Sequence, residues 1–494
     1  MTAAAEVRKP AYPALAWPGL HIVAIVAVLL RLAVAWLSVR ITYPDELFQY
    51  LEQAHRLVYG YGIVPWEFRL AARNWLLPGT LGVLLEGLRA VGLDEPTTYI
   101  PALKSVFALL SVSLVYASYS IGRNLFGERT GRLAAVLATI WYELLYVSPV
   151  ATPEVLSTYA IVGALALITG PASARRAVLV GLLLGASIAL RVQYVVPVVA
   201  LWLVVVIKWR RRCALNSALA AVIVIGFAGL LDAWSWGTAF ISYYNNLNFN
   251  LLLDKEDAFG SSPLFAYFYW LVAGSAGLCL VAAAYGVVQW KRCWPILLLV
   301  ACVLVPHSLV PHKEYRFIFL AVPLLLVLLA DAIINGAQRL RLIVGDLAVV
   351  TVALATLVTV SALECVMHGV FARDDRLLAT LALSRRHDVA AVLDLTGFWS
   401  RSGGFYYLHH DVPLYFREQI EYVPVPALRS LVSHVIVPVT QAPIPGFHVA
   451  TRYGGVAILE QLSPPPVYRH LDRDGREPPQ AGLDDELASE VAPK

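Results

Sequence analysis

The chain has 494 residues, of which 59% are hydrophobic and 15% are charged, and its mean hydropathy is +0.67. Soluble domains contain about 45–50% apolar and about 25% charged residues, so this composition excludes an ordinary soluble enzyme and indicates an integral membrane protein. The net charge of +4 is small, and the lysine and arginine residues are concentrated in short loops. This pattern is typical of charges that orient a protein in the membrane and not of nucleic-acid binding. The five cysteines lack metal-ligand spacing, so neither a disulfide framework nor a zinc site is predicted.

Apolar runs long enough to cross a bilayer predict about eleven transmembrane helices, the first of them a signal anchor. The runs lie near 18–40, 99–121, 133–149, 151–170, 177–190, 194–207, 214–233, 264–289, 294–311, 316–335 and 343–366. With the N-terminus in the cytoplasm, six clusters of lysine and arginine all fall on the inner side of the membrane. This topology places the loop 41–98 and everything after residue 366 on the extracytoplasmic side.

The segment 74–93 must then stay on the outer surface as an interfacial or re-entrant helix, because a further span would reverse the topology. The predicted location is a cell inner (plasma) membrane. The sequence contains no Asn-x-Ser/Thr sequon and uses much Ala, Arg and Val, which favours a bacterial source.

The first exterior loop opens with "TYPDELFQYLEQAHRLVYGYGIVPWEFR", directly after the first apolar run. Apolar residues recur at three- and four-residue steps from Leu47 to Val58, which predicts an amphipathic helix lying in the membrane interface. Pro44 fits the first turn, so Asp45 and Glu46 would lie where the helix dipole favours ionised carboxylates. Such a carboxylate can act as a general base towards a hydroxyl, although the pair could also simply cap the helix.

A second polar motif, "HSLVPHKEYRFI", interrupts two apolar runs on the same outer side. Lys313 and Arg316 are three residues apart, so on a helical turn they would share a face, with His312 beside them. Cations placed there would stabilise a leaving lipid phosphate as its charge develops. The alternative is that both side chains only snorkel to the interface.

Three further groups admit two interpretations each. Arg191 lies between two apolar half-spans, where it forms either a structural salt bridge, to Asp232 or Glu154, or a ligand contact. The segment "DAWSWGTAFISYYNNLNFN" is rich in asparagine and aromatic residues that suit sugars but are also ordinary at a membrane interface. The sequence His409–Asp411 predicts a loop rather than a metal site, because no other ligands are near in sequence.

The chain divides into a membrane part, 1–366, and an exterior part. Short β-rich runs broken by Gly, Pro and Asp predict a small extracytoplasmic α/β domain over 367–462. The remainder, 463–494, is rich in proline and charge and is predicted to be disordered.

Two motifs resemble those of the glycosyltransferase family 22 mannosyltransferases. "YPDELFQYLEQAHRLVYGYGIVPWEF" is similar to the family's first-loop signature, and "PHKEYRFI" is similar to its later His-Lys-Glu-x-Arg-Phe motif. The segment at 232–250 matches the intermediate pattern more loosely, and the resemblance extends to about residue 335. Tyr43 stands where the family has His, Pro65 replaces Thr, and Trp-Gly-Thr at 236–238 departs from the family's order.

The resemblance implies an all-α polytopic membrane protein of the GT-C fold with outer-face interfacial helices. It implies inverting, metal-independent transfer of a sugar, mannose first, from a polyprenyl-phosphate donor to a lipid-linked or glycan acceptor, without a cofactor. Carried onto this sequence, Asp45 is the base and Glu46 orients it or the acceptor, while His312, Lys313 and Arg316 hold the donor phosphate with help from Arg191. The sugar- and acceptor-binding residues implied are Gln49, Trp66, Glu67, Asp232 and Asn248.

Three alternatives stay open at this point. A lipid-linked glycan transporter or flippase would show two related halves, and no internal duplication is evident. A GT-C enzyme that transfers a different sugar is compatible with the same motifs. A scaffold subunit of a glycan assembly would not need both the acidic pair and the cation cluster.

Overall fold

The computed structural model describes residues 19–249, 260–344, 346–417 and 425–465, and residue 468. The basic residues Arg8 and Lys9 and nearly all of the predicted tail 463–494 lie outside the described residues. The helices are α1 Leu20–Leu37, α2 Glu52–Tyr59, α3 Trp66–Arg69, α4 Leu76–Ala90, α5 Pro96–Ser111, α6 Ser113–Phe126, α7 Glu128–Ile140, α8 Tyr142–Tyr146, α9 Pro153–Thr169, α10 Ala174–Leu190, α11 Val195–Lys208, α12 Arg211–Trp236, α13 Ile241–Leu247, α14 Ala266–Gly274, α15 Leu278–Val288, α16 Trp290–Leu309, α17 Ala321–Val344, α18 Asp346–Met367, α19 Asp375–Leu383, α20 Gly404–Leu408 and α21 Val425–Leu431.

Six helical stretches in the described part of the chain are long and apolar enough to cross a membrane. They are Leu20–Leu37, Pro96–Phe126, Arg211–Trp236, Trp290–Leu309, Ala321–Arg339 and Val350–Met367. The pair α14 and α15, bent by 108°, would be a seventh, and Pro153–Thr169 and Val192–Lys208 are apolar but shorter. The predicted helical, multi-pass membrane protein is confirmed, whereas the number of eleven spans and their orientation stay predictions.

The first exterior loop is built differently from the predicted surface helix. A π-helical turn, Glu46–Leu51, leads into α2, and α4 follows without meeting the length of a span. Most polar residues of this stretch are at most 6% exposed, whereas Arg56 is half-buried; the buried ones are Glu46, Gln49, Glu52, Gln53 and His55. Protein therefore covers most of the polar side chains of this stretch, whereas Leu57 is 54% exposed, and the interfacial position of the helix stays a prediction.

Part of this cover comes from the small C-terminal domain, which contacts Glu52 and His55. Its strands are β1 Val392–Asp394, β2 Leu414–Phe416, β3 His434–Pro438, β4 Phe447–Tyr453 and β5 Val456–Gln461, in the order β2-β1-β3-β5-β4. β1 pairs in parallel with β2 and β3, and β5 pairs antiparallel with β3 and β4. Within the part of the chain that is rich in predicted β-structure, Gly404–Leu408 forms the short helix α20.

Exterior loop and C-terminal domain share one apolar core and one buried carboxylate. Leu47 and Phe48 belong to the same cluster as Phe405 and Ile458. The Glu52 carboxylate accepts hydrogen bonds from the backbone N–H groups of Ile63 at 2.9 Å, Phe405 at 3.1 Å and Tyr406 at 2.8 Å.

Gly404 makes this contact possible. Its φ is +56°, and a Cβ there would lie 2.8 Å from Glu52 Oε2. The turn that offers its N–H groups to Glu52 therefore needs glycine at this position.

The Glu52 contact gives the protein a predictable response to pH. Burial raises the pKa of the Glu52 carboxyl from 4.5 to about 7, against the opposing effect of its N–H donors. Between pH 4.5 and about pH 7 the folded chain holds a proton on Glu52 that the unfolded chain has released. The free energy of unfolding therefore falls as the pH rises through this range, by about 3 kcal/mol in all. Glu52→Gln is uncharged at every pH, so its melting temperature relative to wild type should rise between pH 5 and pH 8.

The comparison of the two proteins cancels other titrating groups, among them His55, whose pKa burial lowers to about 3. Glu86→Gln is the matched control because the Glu86 side chain is 57% exposed. A difference between Glu52→Gln and wild type that is constant across this pH range would contradict the prediction.

Candidate active site

A cavity of about 430 Å³ lies between the first exterior loop, the start of α11 and the segment joining α16 to α17. Seven of the eleven residues predicted from the sequence line it: Asp45, Gln49, Trp66, Glu67, Arg191, His312 and Arg316. Further polar residues that line it are Arg73, Gln193, Asn246, His307 and Glu314. Residues from distant parts of the chain thus meet in one place.

Arg316 is the centre of the charged part of this cavity. It lies in the 3-10 turn Tyr315–Ile318, is 4% exposed, and donates a hydrogen bond to Asp45. It also pairs with Glu314 at 2.7 Å, and its Nε lies 3.6 Å from Glu154 Oε1. Arg191 pairs with the same Glu154 oxygen at 2.8 Å. Three carboxylates therefore surround two guanidinium groups.

Electrostatics keeps Arg316 and Glu314 charged. Burial alone would lower the pKa of Arg316, but Asp45, Glu154 and Glu314 raise it well above its ordinary value. Burial alone would raise the pKa of Glu314, but Arg316 and His312 hold it at about 2. Because Arg316 is already paired, an anion that enters the cavity has to compete with a carboxylate for it.

Amides, carboxylates and an aromatic face form the neighbouring wall. Gln49 donates to Glu67 at 2.5 Å and accepts from Arg73 Nε at 2.9 Å. Trp66 stacks on Phe249 with ring centroids 4.2 Å apart. Across the cavity Gln193 donates to Asn246 at 3.0 Å. Such planar polar groups beside an aromatic ring can bind the hydroxyls and C–H faces of a sugar.

Two predicted residues point elsewhere. Glu46 is buried outside the cavity lining and accepts from the backbone N–H of Ala151 at 3.0 Å, while burial raises its pKa. Direct catalysis by Glu46 and its ionisation by the helix dipole therefore lack support. Lys313 donates to the carbonyls of Val310 at 2.6 Å and Ser262 at 3.1 Å. It does not share a helical face with Arg316, because Glu314 between them is extended.

Asp232 and Asn248 also lie outside the residues that line the cavity. Asp232 is fully buried in α12, where it accepts from Asn74 at 2.5 Å and from Ser242 Oγ at 2.6 Å. These contacts fix the exterior loop to α12. The asparagine that lines the cavity is Asn246, two residues before the predicted Asn248. Of the two partners suggested for Arg191, the structure has Glu154.

The residues that sequence reasoning missed carried weak signals. Glu314 stands inside the motif "HKEYRF", but the motif gave it no predicted role. Arg73 and Gln193 lie in no motif at all, and Glu154 was considered only as a partner of Arg191. His409, which the sequence placed in a loop, has a ring nitrogen 3.1 Å from a ring nitrogen of His55.

Metal-ligand geometry occurs in one group of the described residues, Asp388, His434 and Glu460 in the C-terminal domain. Both carboxylates of this group are already bound by Arg386. The group is separate from the cavity lining.

The arrangement of membrane helices and exterior loop defines a class of protein. The fold is similar to that of ArnT from Cupriavidus metallidurans, solved bound to undecaprenyl phosphate, with a TM-score of 0.60 and 12% identity over 89% of this chain and 97% of that one. It is also similar to the arabinofuranosyltransferase AftD from Mycobacteria, with a TM-score of 0.53 and 16% identity over 92% of this chain and 40% of that one. The chain has the GT-C fold.

Sequence comparison identifies the family within this class. The profile of the Alg9-like mannosyltransferase family matches residues 22–384, and the chain belongs to that family of membrane glycosyltransferases. GPI mannosyltransferase 3 of Yarrowia lipolytica is 28% identical over 344 residues, 68% of this chain and 67% of that protein. GPI alpha-1,2-mannosyltransferase 3 of Bos taurus is 25% identical over 58% of this chain and 53% of that protein. The chain thus spans about half to two thirds of these relatives. The family membership inferred from the motifs is confirmed.

Proposed function

We propose that the chain transfers a sugar, mannose first, from a polyprenyl-phosphate-linked donor to a hydroxyl of a lipid-linked or glycan acceptor. The reaction would take place at the extracytoplasmic face of the cell inner membrane, with the N-terminus in the cytoplasm. One observation carries the proposal: the Asp45 carboxylate, its partner Arg316 and Arg191 line the same cavity. The amides and the aromatic ring that could bind a sugar lie next to them.

The apolar side of this cavity supports a lipid donor. Val195 and Val196 line it, and these two side chains are 41% and 42% exposed on α11, an apolar helix. A polyprenyl chain could therefore lie along α11 while its phosphate reaches the charged end. The named relatives are mannosyltransferases, and the ArnT structure was solved with undecaprenyl phosphate.

The proposed chemistry uses this chain's residues alone. The Asp45 carboxylate takes the proton of the acceptor hydroxyl as the acceptor oxygen attacks the anomeric carbon from the face opposite the phosphate. The bond between that carbon and the phosphate oxygen breaks, so the configuration inverts and polyprenyl phosphate leaves with one more negative charge. Arg316 and Arg191 stabilise this developing charge more than the ground state, with His312 at the rim. Gln49, Trp66 and Glu67 hold the sugar or acceptor.

A test of donor class uses membranes from cells that express the chain and membranes from cells that do not. Each receives radiolabelled mannosyl-phosphoryl-polyprenol or, separately, radiolabelled GDP-mannose, and label in the lipid-glycan fraction is counted. The proposal requires expression-dependent transfer from the lipid donor. Transfer of another lipid-linked sugar alone would replace mannose, and movement of intact lipid-linked glycan without a new bond would indicate a flippase.

Arg191 and Lys313 give a matched pair of cations for the donor phosphate. Arg191 lines the cavity and Lys313 does not, although the sequence suggested both. Arg191→Gln should raise the donor KM by about tenfold, as expected for a loss of about 1.4 kcal/mol in binding. Lys313→Gln should leave that KM unchanged and lower only the melting temperature. Equal rises in KM for both variants would contradict the placement of the phosphate.

A further inference from the structure

A second cavity, of about 480 Å³, lies on another side of the exterior loop. Its walls come from the outer end of α1, the first turns of α5 and the C-terminal domain, including Trp36, Ile100 and Tyr453. None of its lining residues belongs to the first cavity. The proposed transfer needs a place for the acceptor as well as the donor, and this cavity has no role in the chemistry described above.

The charge of this cavity is entirely positive. Lys104, Arg373 and Arg385 line it, and none of the described residues that line it is Asp or Glu. Lys104 donates to the backbone carbonyl of Ser38 at 3.3 Å. Within the described part of the chain, Arg373 and Arg385 have no carboxylate partner. A cavity whose charged lining residues are all cations favours an anionic ligand.

The surroundings favour an amphiphilic anion over a small soluble one. Trp36 is 59% exposed and Leu37 is 58% exposed at the outer end of the spanning helix α1. A ligand bound through its phosphate at Lys104 could therefore lay an acyl or polyprenyl chain along α1. An exposed tryptophan at a helix end is typical of the level of the lipid headgroups.

The two cavities lie close to the same turn of the chain. Asp45 lines the first cavity, and Glu46 follows it. Burial raises the pKa of Glu46, and the charges of Lys104, Arg40 and Arg316 oppose that rise. Glu46 is therefore near a cation of the second cavity and a cation of the first.

On the basis of the proposed function, we infer that the second cavity binds the phosphate of the lipid-linked acceptor while the donor occupies the first. The acceptor is then an anionic lipid that carries its phosphate at the level of Lys104. Its glycan hydroxyl reaches Asp45 past the turn formed by Asp45 and Glu46.

Binding can be measured without turnover. The full-length chain in detergent, saturated with polyprenyl phosphate to fill the first cavity, is titrated with radiolabelled dioleoylphosphatidylglycerol as the probe. Changing Lys104, Arg373 and Arg385 together to Gln should weaken this binding by about tenfold or more, since each cation near a lipid phosphate contributes about 1 kcal/mol. The charge-matched control changes the exposed Arg89, Arg401 and Arg452, which lie outside the cavity, to Gln.

The outcomes separate the possible ligands. If the triple variant is unstable, Arg373→Gln with Arg385→Gln is used instead, because both side chains are exposed. Equal loss in the control variant would refute the site. Complete displacement of the lipid by inorganic phosphate would indicate a soluble anion, and equal binding of neutral diacylglycerol would indicate a purely apolar groove.

A kinetic measurement assigns the ligand to the reaction. In membranes the triple variant should have a higher KM for the acceptor and an unchanged KM for the donor. A raised donor KM would assign the cavity to the donor and refute the inference. Absence of any transfer by the wild type would refute the proposed function, while the binding experiment would still decide whether the site exists.

Discussion

Asparagine in place of Asp45 is expected to lower the rate of sugar transfer by about a thousandfold, within the range that general-base catalysis contributes. The amide keeps the shape of the side chain but cannot take the acceptor proton. The Asp45 side chain is 32% exposed and faces the cavity, so it is accessible to a hydroxyl. The measurement is kcat with the lipid-linked donor, normalised to the amount of protein in the membrane.

The substitution also removes the negative charge that pairs with Arg316, so the melting temperature of the variant has to be measured alongside. Asp94→Asn is the control, since Asp94 is an exposed residue of the same exterior loop. Activity close to that of wild type in Asp45→Asn would refute Asp45 as the base. Glu67, the other carboxylate of the exterior loop that lines the cavity, would then be the next residue to change.

Replacement of Arg316 should have the largest effect on stability. Glutamine would remove the cation that pairs with Asp45, Glu154 and Glu314, of which Glu154 would keep its pair with Arg191. Removing one partner of a buried ion pair costs about 3–5 kcal/mol, because the remaining charge is left without compensation. Arg316→Gln should therefore unfold at a clearly lower temperature, and Arg316→Lys should recover part of the loss.

Arg89→Gln provides the comparison for a surface pair. Arg89 and Glu86 are 47% and 57% exposed, and such pairs contribute about 0–1 kcal/mol. A normal melting temperature of Arg316→Gln with lost transfer would show that Arg316 acts on the substrate alone. A normal melting temperature with normal transfer would refute its place at the centre of the site.

The site residues that the sequence predicted best are charged residues that also stand in a recognisable motif. Asp45 and Arg316 stand in two recognisable motifs, and the structure brings them into contact across 271 positions of the chain. Lys313 was misplaced because its spacing from Arg316 assumes a helical turn. The backbone at Glu314 is extended instead, with φ −131° and ψ 141°. Spacing alone does not reveal whether a short segment between two helices is helical.

Buried polar residues were the other source of error. Asp232 in an apolar run could face a ligand or satisfy the N–H and O–H groups of neighbouring elements, and only its contacts with Asn74 and Ser242 distinguish these roles. The helix after Asp45 has the period of a surface helix. Its polar face is nevertheless buried, because Phe405 and Tyr406 bind Glu52 from 353 and 354 residues further along the chain. Helical periodicity contains no information about such a distant cover.

That distance matters during synthesis of the protein. Glu52 leaves the ribosome 353 residues before Phe405, its partner. At about 5–20 residues per second, the interval is roughly 20 to 70 s. Throughout that interval the loop that carries Asp45 lacks its cover, and the buried carboxylate lacks two of its three hydrogen-bond donors. The catalytic loop is made early but reaches its final conformation only after the C-terminal domain has been translated, so a chain truncated before Phe405 would lack a finished site.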